Sequence, residues 1–197
     1  MLGRMKGGIE KARRERGQAM VELAISSLAL LLLVGGMIDL GRAFEFSVAI
    51  HNAAYEGARH GAWYEETRQV QPYLYDAPIK STVDDSLRGG GLPASVLRNS
   101  SGAGAQNCPG SASSNYNPPY ADSFYPTSVN QPWLYICYNN SPSTDYTTAP
   151  TDNSRRLQDL NVVVLLSYGP MNGTFQDQVG STIHLAANWH VTVQGHP

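Results

Sequence analysis

Basic side chains are scarce beyond the N-terminus. Of fourteen Lys and Arg, six lie within residues 1–17 (Arg4, Lys6, Lys11, Arg13, Arg14, Arg16). The other eight are outnumbered by fourteen acidic residues. A nucleic-acid partner needs Lys and Arg to neutralise phosphates, so this acidic body argues against nucleic acid. Proline is absent from residues 18–71, so nothing there forces a helix to break. Charge is absent from Leu23 to Ile38, which a solvated surface helix would not tolerate. No internal repeat is visible, and 197 residues suit one ordinary domain plus an anchor.

Catalytic patterns are missing too. No Gly-x-Ser-x-Gly elbow accompanies the serines. His184 and His190 share one strand face, but six residues separate them by roughly 20 Å, too far to share one metal. Asp84 and Asp85 are helix neighbours that point to different sides, which is poor for paired acid–base work. Asp145, Asp152 and Asn153 offer oxygen ligands, but their spacing fits no EF-hand loop. Gly89-Gly90-Gly91 lacks the lysine, the preceding strand and the following helix of a phosphate loop. The reading is of a non-enzymatic protein with no cofactor and no metal site.

What is present begins with an anchor. Residues 18–38 read QAMVELAISSLALLLLVGGMI. As a helix, these 21 residues span about 31 Å, close to a hydrocarbon core of roughly 30 Å. The basic head before them stays on the cytoplasmic side, giving an N-in, C-out orientation. A helical pattern continues past the apolar run: Phe44, Val48, His51 or Asn52, Tyr55, Ala58 and Ala62 form one face. Asp39 with Arg42, and Glu56 with Arg59, are i,i+3 charge pairs. The pattern predicts one helix over 18–66, about 73 Å long. Ala53, Gly57 and Gly61 make a small-residue seam on it. Such a seam serves either helix–helix packing between subunits or the close approach of a sheet. Glu22 is the oddity, because a carboxylate at depth in lipid costs roughly 2–3 kcal/mol when unpaired.

At this point the sequence resembles a known family. Arg16-Gly17-Gln18-Ala19-Met20-Val21-Glu22, the Leu-rich run, Ile38-Asp39-Leu40-Gly41-Arg42-Ala43 and Asn52-Ala53-Ala54-Tyr55-Glu56-Gly57-Ala58-Arg59 are similar to the TadE-like family of tight-adherence (Tad, or Flp) pilus proteins. These are pseudopilins, relatives of type IV pilins. The resemblance implies cleavage by a prepilin peptidase between Gly17 and Gln18. It also implies a role for Glu22 in subunit assembly, where its carboxylate neutralises the freed α-amino group of a neighbour. The implied partners are the peptidase, other pilins or pseudopilins, the inner-membrane assembly platform and the lipid bilayer. One departure is Leu23, where pilins carry an aromatic residue. Relatives of the TadG-like type keep the leader as a plain tether. The alternative is therefore a permanently anchored extracytoplasmic binding or adhesion domain.

The remaining chain reads as an exported α+β domain. Asp76 to Arg88 looks like a capped amphipathic helix, with Asp76 at its N-terminus and Gly89 beginning the stop. Residues 93–98, 133–138 and 161–168 read as strands, and residues 183–194 alternate apolar with polar. Residues 99–130 are turn-rich and carry Tyr116, Tyr120, Phe124 and Tyr125, which form either a contact surface or a cover for a thin core. Cys108 and Cys137 flank part of this region. If the domain is exported, the natural reading is a disulfide that adds roughly 3–4 kcal/mol; the alternative is two unpaired thiols. The expected architecture is a long helix packed on a small antiparallel sheet, as in pilins. Its parts are a basic leader over 1–17, a transmembrane helix over 18–38, the helix's continuation over 39–66 and an extracytoplasmic domain over 67–197.

Overall fold

With no proline to interrupt it, the N-terminal region forms one helix, α1 (Gly3–Ala62). The computed structural model describes residues 3–62, 76–99, 106–110, 117–143, 155–170 and 182–194, with side chains from residue 18 onward. The expected helix end at residue 66 lies outside the described residues. The chain divides into two units, Met1–Gly41 and Arg42–Pro197.

In the first unit the described side chains are almost all uncovered. Met20, Val21, Leu23, Ile25, Leu28 and Leu30 are exposed, and none of the helix's most apolar 18-residue stretch is buried. Ser27 donates its hydroxyl to the carbonyl of Ala24 at 2.9 Å, so that polar group is satisfied within the helix.

In the second unit the same helix buries a stripe. Ala43, Phe46, Ala49, Ile50, Ala53, Ala54, Ala58 and Ala62 face a core, at the spacing of three and four that one helix side requires. Phe44, Val48 and Tyr55 point outward, and small residues rather than bulky ones mark the buried side. The reason is close approach by neighbouring elements.

One neighbour is α2 (Asp76–Gly89), whose Ile79, Val83 and Leu87 repeat every fourth residue and are fully buried. Its C-terminus is a Schellman motif. The Leu92 amide donates to Leu87 O at 3.0 Å, and the Gly91 amide donates to Arg88 O at 3.0 Å. Gly91 has φ of +76°, which only glycine adopts freely. The glycine run is therefore a helix stop. Asp84 is buried and accepts from the Ser95 amide at 2.7 Å and the Ser95 hydroxyl at 2.6 Å, with Lys80 Nζ at 2.5 Å. Asp85 is exposed and pairs with Arg88 at 2.7 Å. The two carboxylates point to different sides.

The strands are β1 (Val96–Leu97), β2 (Trp133–Tyr138), β3 (Ser141–Pro142), β4 (Asp159–Tyr168) and β5 (Ile183–Thr192). Their order is β1-β2-β4-β5, with β3 paired to β2. The β1–β2 pair is parallel and the others antiparallel, so the sheet is mixed rather than purely antiparallel. A parallel pair needs a long connection, and residues 98–132 supply it. Asn139 and Asn140 turn β2 into β3 with φ of 47° and 64°, the left-handed pair that suits a two-residue hairpin.

β4 reads as a continuous apolar run because both its faces are covered. Leu160, Val162, Val164 and Leu166 join Leu134 and Ile136 against the helices. Val163 and Leu165 join Tyr135 and Cys137 on the other face, beneath Cys108, Tyr120 and Tyr125. Each such aliphatic side chain stabilises the fold by about 1.5–3 kcal/mol when fully buried.

Candidate functional site

The residues expected to carry function fall into two groups, one in each unit. Gly17 lies within α1, and the helix runs on through Gln18 without interruption. Gln18 and Glu22 are both exposed. Glu22 stands among the exposed apolar side chains of Met20, Val21, Leu23 and Ile25. A carboxylate in that setting has water for company only while the surrounding surface is wet; in lipid it requires a cation.

The Ala53, Gly57 and Gly61 seam lies inside the second unit. A Cβ on Gly57 would stand 2.5 Å from Val83 Cγ2 and 3.4 Å from Val162 Cγ1. On Gly61 it would meet Ile79 Cδ1 and Leu160 Cδ2, each at 2.7 Å. Ala53 is completely buried. The seam admits α2 and β4 of its own chain.

Cys108 and Cys137 are joined, with Cα atoms 6.1 Å apart. The bond fastens residues 106–110 to the middle strand β2. The segment 117–126 completes this second cover. Tyr120 and Tyr125 are buried and Phe124 is half-buried, so these aromatics roof the sheet. Tyr116 lies outside the described residues. The Tyr135 hydroxyl faces two acceptors, Gln106 Oε1 at 2.7 Å and Phe124 O at 2.9 Å. Ser167 Oγ donates to Pro126 O at 2.6 Å. Burial pushes the Tyr135 phenol up to about 12, partly offset by the nearby Arg98 guanidinium. Tyr120 is pushed up by burial and by Tyr125, and Tyr125 by burial and by Asp122. Phenols held neutral in this way hydrogen-bond as donors and do not serve as bases near neutral pH.

Sequence reasoning missed several polar positions. Asn99 is buried and donates its amide to Ile136 O while accepting from the Ile136 amide at 3.0 Å, which extends the edge of β2. His190 meets Asp159 and Asn117. Nothing in the local sequence pattern marks either one. Asp145, Asp152 and Asn153 lie outside the described residues. Among the described residues, no three His, Cys, Asp or Glu side chains gather to hold a metal.

Residues 17–59 match the family described as TadE-like protein. The match takes in Glu22, the apolar run and the buried stripe as far as Ala58, and stops before α2 and the sheet. No curated protein and no solved structure matches the chain. Over residues 17–59, under a quarter of its length, the chain is similar to TadE-like proteins.

Proposed function

We propose that the protein is a minor pseudopilin of a Tad-type pilus, a non-enzymatic assembly component. Its helix crosses the cytoplasmic membrane with the basic head inside and the second unit outside. The single observation behind this reading is Glu22: an exposed carboxylate in an apolar helix segment, five residues after Gly17, inside the TadE-like match. A prepilin peptidase cutting between Gly17 and Gln18 creates an ammonium group. Glu22 of one subunit pairs with that ammonium on a neighbouring pilin or pseudopilin, so two charges that are unfavourable in lipid become one neutral pair. The basic head orients the chain by the positive-inside tendency. The disulfide fits an oxidising, extracytoplasmic setting. The inner-membrane assembly platform is the remaining partner in this scheme.

Two measurements test it. Intact mass of membrane protein made with and without the peptidase is expected to show a chain starting at Gln18 only when the peptidase is active. A chain that keeps residues 1–17 beside active peptidase would make the protein a permanently tethered binding or adhesion domain. Glu22→Gln is expected to leave cleavage in place and abolish incorporation into surface fibres. Undiminished fibres would remove the charge-pair role.

A further inference from the structure

β4 runs opposite to the part of α1 on which it packs. Leu160 lies against Gly61 and Val162 against Gly57, and further along the strand the Tyr168 ring meets Phe46 edge-on, with centroids 5.7 Å apart. The strand therefore ends where α1 enters the second unit, and Gly169 continues in that direction. A turn is fastened to it there. The Asn130 amide donates to Ser167 O at 2.8 Å, and Asn130 Oδ1 accepts from the Gly169 amide at 3.3 Å. Asn130 has φ of 58°, a left-handed conformation that asparagine tolerates. A Cβ on Gly169 would stand 3.1 Å from both Val129 Cβ and Val129 Cγ1, so Val129 is held in place. It is nonetheless 52% exposed, and Phe44, in the first turn of the unit's helix, is 66% exposed.

Single exposed apolar side chains are ordinary on a protein surface. Place and charge set these two apart. Phe44 follows Ile38, the last residue of the apolar run, by six positions, about 9 Å of helix rise. The polar layer of a bilayer extends about 5–7 Å beyond the hydrocarbon on each side. Helical side chains lean back toward the helix N-terminus, so the Phe44 ring reaches that layer. Residues 123–144 contain no Asp, Glu, Lys or Arg, so the turn around Val129 can enter headgroups without stripping water from a charge. Arg42, over the Phe46 ring at 5.7 Å, and exposed Glu45 offset each other in charge, which leaves apolar contact to decide.

We propose that this end of the second unit docks on lipid, with Phe44 and Val129 seated in the headgroup layer of the leaflet from which α1 emerges. The inference rests on the reading that α1 crosses a bilayer. It adds a second foothold, on a different element, to the one the helix provides. Two footholds stop the unit from turning about the helix and fix which of its faces a neighbouring subunit meets. The docking is shallow, because Glu45 stays in water.

The test places a polarity-sensitive fluorophore on the thiol of a Val129→Cys variant of the full chain, labelled without reductant so that Cys108 and Cys137 stay joined. The chain is reconstituted in phosphatidylethanolamine–phosphatidylglycerol vesicles that carry nitroxide either at the headgroup or deep in the acyl chain. Phe44→Cys is the second site. Leu157→Cys is the control for the far end, where the Leu157 amide donates to Val193 O and the Gln194 amide to Ala62 O. Leu30→Cys is the control for the apolar run. The labels at Val129 and Phe44 are expected to shift to the blue and to lose emission to headgroup nitroxide, and the label at Leu157 to do neither. If Val129→Cys does not fold, exposed Ser128→Cys takes its place with the same expected loss. Unquenched emission at Val129 while Leu30 is quenched by deep nitroxide would overturn the docking and leave the membrane span intact. A blue shift at Val129 without quenching would overturn it too, because a second copy would then cover the turn. An unquenched label at Leu30 would remove the span itself, and the docking with it.

Discussion

One helix carries two different surfaces. From Met20 to Leu40 its large apolar side chains are exposed, whereas from Ala43 to Ala62 its buried side consists mostly of alanine and glycine. The first surface suits a solvent of hydrocarbon, where bulk adds favourable contact and nothing limits side-chain size. The second suits contact with packed protein, where a single added carbon collides with Val83 or Leu160. Apolar composition alone would have grouped them. Residue size separates them.

Substitutions can sharpen or break that contrast. The largest effect is expected outside the helix, on the face it does not cover. Replacing Cys108 and Cys137 together by serine opens a cross-link between residues 29 apart. This should lower the unfolding free energy of the second unit by about 3–4 kcal/mol, read from urea unfolding of the detergent-solubilised chain. Gly57→Leu comes next. Overpacking against Val83 and Val162 should remove about 1–3 kcal/mol in the same assay, and an unchanged midpoint would mean that the close approach is not real.

Tyr135→Phe should remove about 1 kcal/mol near neutral pH, since the hydroxyl leaves two acceptors behind. Its pH dependence has a definite sign. The folded phenol is raised from 10.0 to about 12, so its stabilising share is whole below 10.0 and is lost as pH rises through about 12. The phenylalanine variant should therefore lose less stability than the parent over that alkaline interval. The smallest effect belongs to the exposed part of the helix. Leu30→Ala should change unfolding of the second unit by less than about 0.5 kcal/mol, because its side chain touches no core. The same substitution should weaken retention in carbonate-washed membranes. A large loss of domain stability would contradict the division into two units.

The elements with strong periodicity were legible in the sequence. The long helix, the short amphipathic helix ending in glycines, and the strands over Trp133–Tyr138 and Ile183–Thr192 follow from the spacing of their apolar residues. The burial of both faces of β4 followed from its unbroken Val and Leu run. Which side of the helix packs was not legible, because Phe44, Val48 and Tyr55 are bulkier than the alanines that do the packing. The parallel β1–β2 pair was not legible, because two residues carry no direction signal. Nor were the contacts of His190, since Asn117 lies 73 positions away in sequence and no local pattern joins them. Glu22 stood out in the sequence because its neighbours make it chemically odd, and the structure adds only that it is exposed.

The seam against Val162 has a consequence for how the chain matures. Gly57 meets Val83 of the following helix but also Val162, a residue 105 positions later, so the helix's inner side is only partly covered until β4 has been made. Contacts so distant in sequence slow folding. The second unit cannot close while its later half is still being synthesised. An assembly that recruits it early would hold an unfinished domain, and its timing must wait on the last strands.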